Sequence, residues 1–505
     1  MQNILSAAKK HIASPIIQLA LVVLASMLIY VFAFLLPINL LELYDQPRLD
    51  RDLLFYQGTP SYVRLSLAFI GVWALYWLGY RISLRVEGRR AWIVVIAGML
   101  AFIVVFLFVA PFDAADIYDN IMHGRILGVH GANPFQQVIA DFPDDPFYEY
   151  AAWKKARSAY GPLWESLAGL TAWLAGDGII ANVLAFKLLP GLFHVAGVAL
   201  VVMYLIRESK GQALSGALLL GWNPMILYET WGNGHNDAAM AFWFLLAAWW
   251  ITRHRYTLAA LSLLAGALIK FLPIVLIPAV LLIAWRSLET ISARLAFLAK
   301  TGALAFVITA AAYYPFWNGL ASFSVERRMN MFTTSIPAVI YRLLKPTLGL
   351  DESARLVSLA ALGLLAVFVL IQSFRIKDAG RPGRDFLQIT FNILAFYLLV
   401  TCLWFQQWYS IWLICLAPLL SPQSRNLALV FGFWVVSKQL VFGPEYVPTM
   451  FFKPETAIRL EPLLTSTVLG VPWLYAMWIL IREKRIITLN RRSILETDEK
   501  HHASA

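Results

Sequence analysis

Three aspartates, Asp113, Asp116 and Asp119, directly follow a long apolar segment. A carboxylate at the rim of a bilayer is partly desolvated, and desolvation raises the pKa of a carboxyl group toward the range in which it serves as a base. Asp113 and Asp116 are three residues apart and would share one face of a helix. Aspartate is also common at helix starts, so a solvated helix N-terminus is the alternative. Both residues are candidate general bases.

A second polar cluster, His235-Asn236-Asp237, lies in a short loop between two apolar segments. It places an imidazole, an amide and a carboxylate just before a predicted membrane helix. Asn236 or Asp237 could simply cap that helix, although a cap needs only one of the three groups. One histidine and one acid are weak evidence for a metal site. No metal ligand is therefore assigned, and a divalent cation is left open.

Lys270 interrupts an apolar stretch, and the Pro273 that follows it predicts a turn at 270–273. A lysine at membrane depth costs about 2.5–3.5 kcal/mol, so its ammonium either serves a function or extends to the interface. Arg327 and Arg328 are further candidate cations in a later loop, where adjacent arginines can also be plain loop charges.

Gln407 and Trp408 occupy a turn between two late apolar segments. Amide and aromatic side chains can flank a sugar, but tryptophan and tyrosine also form interfacial belts in membrane proteins. The turn is either part of a site or an interfacial anchor.

The composition places these residues on membrane helices. Hydrophobic residues make up 60% of the 505 residues and charged residues 14%, against roughly 45–50% and about 25% in soluble domains. So few charges cannot cover the surface of a soluble protein of this length. Two cysteines exclude a disulfide framework. The net charge of +11 is spread over short loops, which favours membrane topology and anionic lipid over nucleic acid.

Recurring apolar runs predict an all-α polytopic membrane protein with about 12–14 transmembrane helices. The runs are 16–36, 65–80, 91–110, 179–206, 213–228, 238–251, 258–269, 271–285, 295–316, 356–371, 386–403, 409–420, 427–440 and 463–481. Residues 160–175 are shorter and interrupted by Pro162 and Glu165. The arginine-rich loops all face the cytoplasm only if 160–175 does not cross the membrane. We therefore expect a juxtamembrane helix there.

This topology predicts one integral membrane domain over residues 1–494, with both termini in the cytoplasm and a disordered cytoplasmic tail at 495–505. It gathers the candidate residues at the outer face, in a core of about 91–316 whose first outer loop is 111–160. Long loops that are ordered are usually functional.

The order of the motifs resembles the GT-C membrane glycosyltransferases, and above all the bacterial polyprenyl-phosphomannose-dependent alpha-1,6-mannosyltransferases. The matching motifs are Asp116-x-Tyr118, Gly124-Arg125, Gly131-x-Asn133-Pro134-Phe135, Tyr160-Gly161-Pro162-Leu163 and Gly232-Asn233-Gly234-His235-Asn236-Asp237-Ala238. Phe135 stands where that family has tyrosine. The resemblance covers about 113–273.

The resemblance implies an inverting transferase of the bacterial cytoplasmic membrane that takes a hexose, mannose first, from a polyprenyl-phosphate donor. The acceptor would be a hydroxyl of a glycolipid or envelope polysaccharide. Asp116 would be the base, with Asp113 its rival, and His235 and Asp237 would position the acceptor or assist the carboxylate. The remaining residues implied at the substrates are Tyr118, Arg125, Asn133, Tyr160, Asn236, Lys270, Arg327, Arg328, Gln407 and Trp408, with Lys270, Arg125 and Arg327 as cations for the phosphate.

A lipid or sugar transporter or flippase without transferase activity is the alternative. Such a protein typically has inverted repeats and polar groups near the bilayer midplane. The sequence shows no repeat, and its polar clusters fall in predicted outer loops.

Overall fold

A computed structural model of the chain describes residues 14–43, 58–112, 115–319, 322, 331–375, 381–437 and 460–482. Asp113, Arg327, Arg328 and the tail at 495–505 lie outside these residues. Within the described ranges the secondary structure is helical, with two isolated bridges and no β-strand. The all-α class predicted from the sequence is confirmed.

The longer helices follow the apolar runs closely. They are α1 (Pro15–Ile29), α2 (Gly58–Ser83), α3 (Arg89–Phe108), α4 (Asp116–Gly128), α5 (Pro162–Ala175), α6 (Ile179–Glu208), α7 (Ala213–Gly221), α8 (Asp237–Thr252), α9 (Tyr256–Ala267), α10 (Ile277–Ser287), α11 (Ile291–Tyr313), α12 (Ile336–Leu348), α13 (Leu350–Phe374), α14 (Pro382–Phe396), α15 (Pro422–Trp434) and α16 (Leu460–Arg482). Every run predicted from the sequence overlaps one of them or, at 409–420, the short helical turns that begin at Gln407, whereas α4, α5 and α12 lie outside the runs.

Among the described residues, seven helices are long and apolar enough to cross a membrane: α2, α3, α6, α11, α13, α16, and α1 together with the π-helical turn Tyr30–Leu35 that extends it to 21 residues. Other apolar helices, such as α8 and α9, have only 16 and 12 residues, and about 17–25 are needed for a full crossing. The polytopic membrane class is confirmed, and the total of about 12–14 crossings stays a prediction.

Helix α8 lies in the interior of the bundle. Most of its residues are buried, and it packs against α6, α9 and α14. By contrast, α11 and α13 expose many large apolar side chains, as lipid-facing helices do. The start of α8 is therefore surrounded by protein rather than by lipid, which suits a polar site.

Four helix interruptions place the candidate residues. They are residues 109–112 after α3, the π-helical turn Leu227–Gly232 with residues 233–236 before α8, the turn 268–271 after α9, and the segment 402–406 before the 3₁₀ turn Gln407–Ser410. The turn at Lys270 was expected from Pro273, which cannot continue an α-helix. Gly234 has a φ of 71°, a conformation that favours glycine.

Candidate functional site

Lys270 and Asp237 form a buried ion pair in which Lys270 Nζ lies 2.8 Å from Asp237 Oδ2. The other carboxylate oxygen, Asp237 Oδ1, accepts a hydrogen bond from Trp412 Nε1 at 2.6 Å. The rings of Tyr160 and Tyr409 lie 5.5 and 5.6 Å from the ammonium. The Lys270 side chain is only 12% exposed, so it is enclosed by a carboxylate and two aromatic rings and does not extend into solvent.

Asp116 lies in the first turn of α4 and interacts electrostatically with this pair. Burial raises the pKa of Asp116 to about 6, the Lys270 charge opposes that rise, and the Asp237 charge adds to it. The three charged groups from α4, α8 and the 268–271 turn are therefore close enough to interact electrostatically. A carboxyl group with this pKa is ionised at neutral pH and is a stronger base than an exposed aspartate.

His235 lies between the ring of Trp408 and the carboxylate of Glu229. Its ring stacks on Trp408 with centroids 3.9 Å apart and planes 15° apart, and its Nε2 lies 3.4 Å from Glu229 Oε2. Gln407 Nε2 donates to Glu229 Oε1 at 2.7 Å, and Asn233 Nδ2 donates to Glu229 Oε2 at 3.3 Å. Burial, followed by the Lys270 charge, holds the pKa of His235 well below its usual range, so the imidazole is neutral.

The Asn233 side chain connects Glu229, which lies beside His235, with the backbone that precedes α4. Its Oδ1 accepts from the Phe112 N–H at 3.0 Å, which fixes the chain that leads into α4 and Asp116. The neighbouring Asn236 is the N-cap residue of α8 but makes no side-chain cap hydrogen bond. A capping role, which the sequence allowed for Asn236, is therefore not what its side chain does.

Two residues expected at the substrates, Tyr118 and Asn133, have local structural partners, and so does Asp119, which was not assigned to a substrate. Tyr118 stacks on Tyr150, with centroids 5.5 Å apart. Asn133 Oδ1 accepts from the Phe135 N–H at 2.9 Å, closing an Asx turn. Asp119 Oδ1 accepts from the backbone N–H groups of Ala152 and Trp153. These contacts hold the 111–160 loop together.

The structure does not bring Arg125 to the cluster. It lies near the C-terminal end of α4, with its side chain only 2% exposed. Its Nε donates to both oxygens of Asp145, at 3.0 and 2.8 Å, while Nη1 donates to Gly176 O and Nη2 to Asp177 Oδ1, each at 2.8 Å. Protein acceptors therefore occupy the guanidinium, and the role of Arg125 at a phosphate stays a prediction.

Glu229 and Trp412 belong to the site but were not predicted from the sequence. Glu229 stands at the edge of an apolar run, as Asp116 does, and that position is the signal that could have identified it. Trp412 lies inside an apolar run, where the sequence does not distinguish a hydrogen-bond donor from a lipid-facing ring. Both are buried against residues distant in the sequence.

The part of the chain that the structure describes presents no set of side chains suited to hold a metal ion. No group of three or more His, Cys, Asp or Glu side chains there is placed to hold an ion. The cation that lies beside the Asp237 carboxylate is Lys270.

Comparisons with known proteins confirm the family that the motifs resemble. A family model described as "Alpha-(1->6)-mannopyranosyltransferase, N-terminal domain" matches residues 7–286, more than half of the chain. The "Alpha-(1->6)-mannopyranosyltransferase A" of Corynebacterium glutamicum is 26% identical over 147 residues, which are 28% of this chain and 29% of that relative. The match thus spans less than a third of the relative's length. No solved structure matches the chain.

Proposed function

The chain belongs to the alpha-(1->6)-mannopyranosyltransferase family, and we propose that it transfers a mannosyl residue from a polyprenyl-phosphate donor to a hydroxyl group of a glycolipid or envelope polysaccharide. The observation that carries the proposal is the convergence of Asp116, Asp237 and Lys270. A base and a cation side by side are what transfer from a phosphate leaving group needs.

Asp116 takes the proton of the acceptor hydroxyl as that oxygen attacks the anomeric carbon of the donor. The bond between this carbon and the phosphate oxygen breaks, and its electron pair leaves with the polyprenyl phosphate. Because attack and departure occur on opposite faces of the sugar, a beta-linked donor yields an alpha-linked product. Asp113 is the rival base.

Lys270 stabilises the charge that develops on the leaving phosphate. A lysine ammonium has three N–H donors, which the Asp237 carboxylate and a phosphate oxygen can share. Arg327 and Arg328 are further candidates for the same phosphate. His235 and Asp237 position the acceptor or assist the Asp116 carboxylate, and Tyr160, Gln407 and Trp408 line the substrates.

The reaction takes place at the outer face of a bacterial cytoplasmic membrane, with both termini of the chain in the cytoplasm. The distribution of arginine-rich loops supports this orientation, and a lipid-linked donor suits a compartment without nucleotide sugars.

The test is Asp116→Asn in membranes that contain the chain, with transfer measured from polyprenyl-phosphomannose. We expect a loss of roughly 10²–10⁴-fold, the usual contribution of a general base. Asp113→Asn tests the rival, and Asp144→Asn, an exposed aspartate, is the matched control. Undiminished transfer by a correctly inserted Asp116→Asn variant eliminates Asp116 as the base. Movement of labelled lipid without any mannosylated product would favour the carrier alternative.

A further inference from the structure

The amide of Asn236 differs from every other buried asparagine amide among the described residues. The five buried asparagines are Asn120, Asn182, Asn223, Asn233 and Asn236. The first four each make side-chain hydrogen bonds within the protein. Asn236 is 1% exposed, and neither its Oδ1 nor its Nδ2 has a hydrogen-bond partner.

A buried amide without partners is costly, because each unmade hydrogen bond leaves a desolvated polar atom. The great majority of buried side-chain polar atoms have a partner, so an exception calls for an explanation, such as a ligand that completes the site. The two chain neighbours of Asn236 both contribute to the candidate site. His235 stacks on Trp408, and Asp237 pairs with Lys270.

We propose that the Asn236 amide binds two neighbouring hydroxyl groups of the donor sugar and so determines which sugar is transferred. An amide presents one acceptor oxygen and one donor nitrogen side by side, and two adjacent sugar hydroxyls can donate to the first and accept from the second. The inference rests on the proposed function, because it needs a sugar at this site.

The position of Lys270 favours the donor sugar, rather than the acceptor, as the ligand of Asn236. In the proposed function Lys270 binds the donor phosphate, and the donor sugar is bonded directly to that phosphate. The residue that pairs with Lys270 is Asp237, the next residue after Asn236. Asp237 is also proposed to position the acceptor, so the donor and acceptor KM values measured below separate the two substrates; the Lys270–Asp237 pair beside Asn236 favours the sugar attached to the phosphate.

The first experiment compares Asn236→Leu with wild type in thermal unfolding of the purified, detergent-solubilised chain. A leucine of similar size removes two unsatisfied polar atoms, so we expect an unchanged or higher Tm. Asn223→Leu is the matched control: Asn223 is also buried, but its Oδ1 accepts from the N–H groups of Met225 and Ile226, so this variant should have a lower Tm. A clear fall in the Tm of Asn236→Leu would overturn the proposal, because it would reveal a structural role.

The second experiment measures transfer from polyprenyl-phosphomannose and from donors that lack one hydroxyl at C2, C3 or C4. We expect Asn236→Leu to raise the donor KM at least tenfold and to leave the acceptor KM unchanged, because a site built to bind a hydroxyl loses binding when the pair is broken. Wild type should discriminate against two adjacent deoxy positions, and Asn236→Leu should lose that discrimination. An unchanged donor KM, a change in the acceptor KM alone, or retained discrimination would each overturn the proposal. Absence of transfer by wild type would instead remove the proposed function, while the Tm comparison still tests whether the amide is structural.

Discussion

Gly161 and Leu268 meet so closely that a Cβ on Gly161 would lie 2.2 Å from the Leu268 carbonyl oxygen. The Gly161 N–H donates to Ile269 O at 2.9 Å, and the Leu163 N–H donates to Leu268 O at 3.0 Å. The start of α5 is thus joined to the turn that carries Lys270. This contact explains why glycine follows Tyr160, whose ring lies beside the Lys270 ammonium.

Gly161→Ala should therefore displace Tyr160 from Lys270 and reduce both stability and mannosyl transfer. The obstructing atom is backbone, which cannot rotate away as a side chain can, so we expect a loss of about 1–3 kcal/mol in unfolding free energy, as for other overpacked sites. Unfolding in detergent and transfer in membranes measure the two effects. Gly363→Ala is the control, since nothing lies within 4 Å of a Cβ at that position. If Gly161→Ala and Gly363→Ala had the same unfolding free energy and the same rate of transfer, the prediction would be contradicted.

The pH dependence of transfer should follow the pKa of Asp116. A base accepts a proton only when deprotonated, so kcat/KM should rise with pH through about 6 and level off above it. At one pH unit below the midpoint, the rate should be about tenfold lower than on the plateau. Lys270→Met removes the charge that lowers the pKa of Asp116, and the midpoint should move to higher pH.

Lys270→Arg keeps the positive charge and is the control for this shift, so its midpoint should stay close to that of wild type. A pH profile of Lys270→Met with the wild-type midpoint would show that Asp116 is not the titrating base.

Asp237→Asn should move the same midpoint in the opposite direction. The Asp237 charge raises the pKa of Asp116, and removing it leaves Lys270 without its carboxylate partner and therefore freer to stabilise ionised Asp116. Both effects lower the pKa, so kcat/KM should level off at lower pH. The plateau should also fall, because Asp237 is proposed to position the acceptor. An upward shift would contradict this account of the three charges.

Much of the helical framework could be predicted from the sequence, because apolar runs report helices directly. The turn at Lys270 was also predictable, since Pro273 ends a helix locally. The pairing of Lys270 with Asp237 was not, because no pattern within either segment indicates which distant charge it meets. The same applies to Glu229, whose partner Gln407 is 178 residues away in the sequence.

Arg125 shows how a motif residue can have partners that the sequence does not indicate. The sequence offers a Gly-Arg pair in a loop with other candidate residues, and proximity along the chain suggests a shared site. The folded helix separates them: Asp116 occupies the first turn of α4 and Arg125 the last. Arg125 donates to Asp145 and Asp177, which lie 20 and 52 residues away along the chain. No local sequence pattern indicates partners at such distances.

Arg125→Met should therefore act on stability rather than on donor binding. The ion pair with Asp145 is buried on both sides, and removing one partner of such a pair leaves an uncompensated charge that costs about 3–5 kcal/mol. We expect this loss in chemical unfolding of the detergent-solubilised protein. The fraction that stays folded should have a donor KM near the wild-type value.

Two comparisons test this interpretation of Arg125. Arg255→Met removes an exposed arginine and should change stability by no more than about 0.5 kcal/mol. The double variant Arg125→Met, Asp145→Asn should lose less unfolding free energy than the sum of the two single losses. The second substitution removes the charge that the first one leaves unpaired. A raised donor KM with unchanged stability in Arg125→Met would instead place the guanidinium at the phosphate, against the geometry of α4.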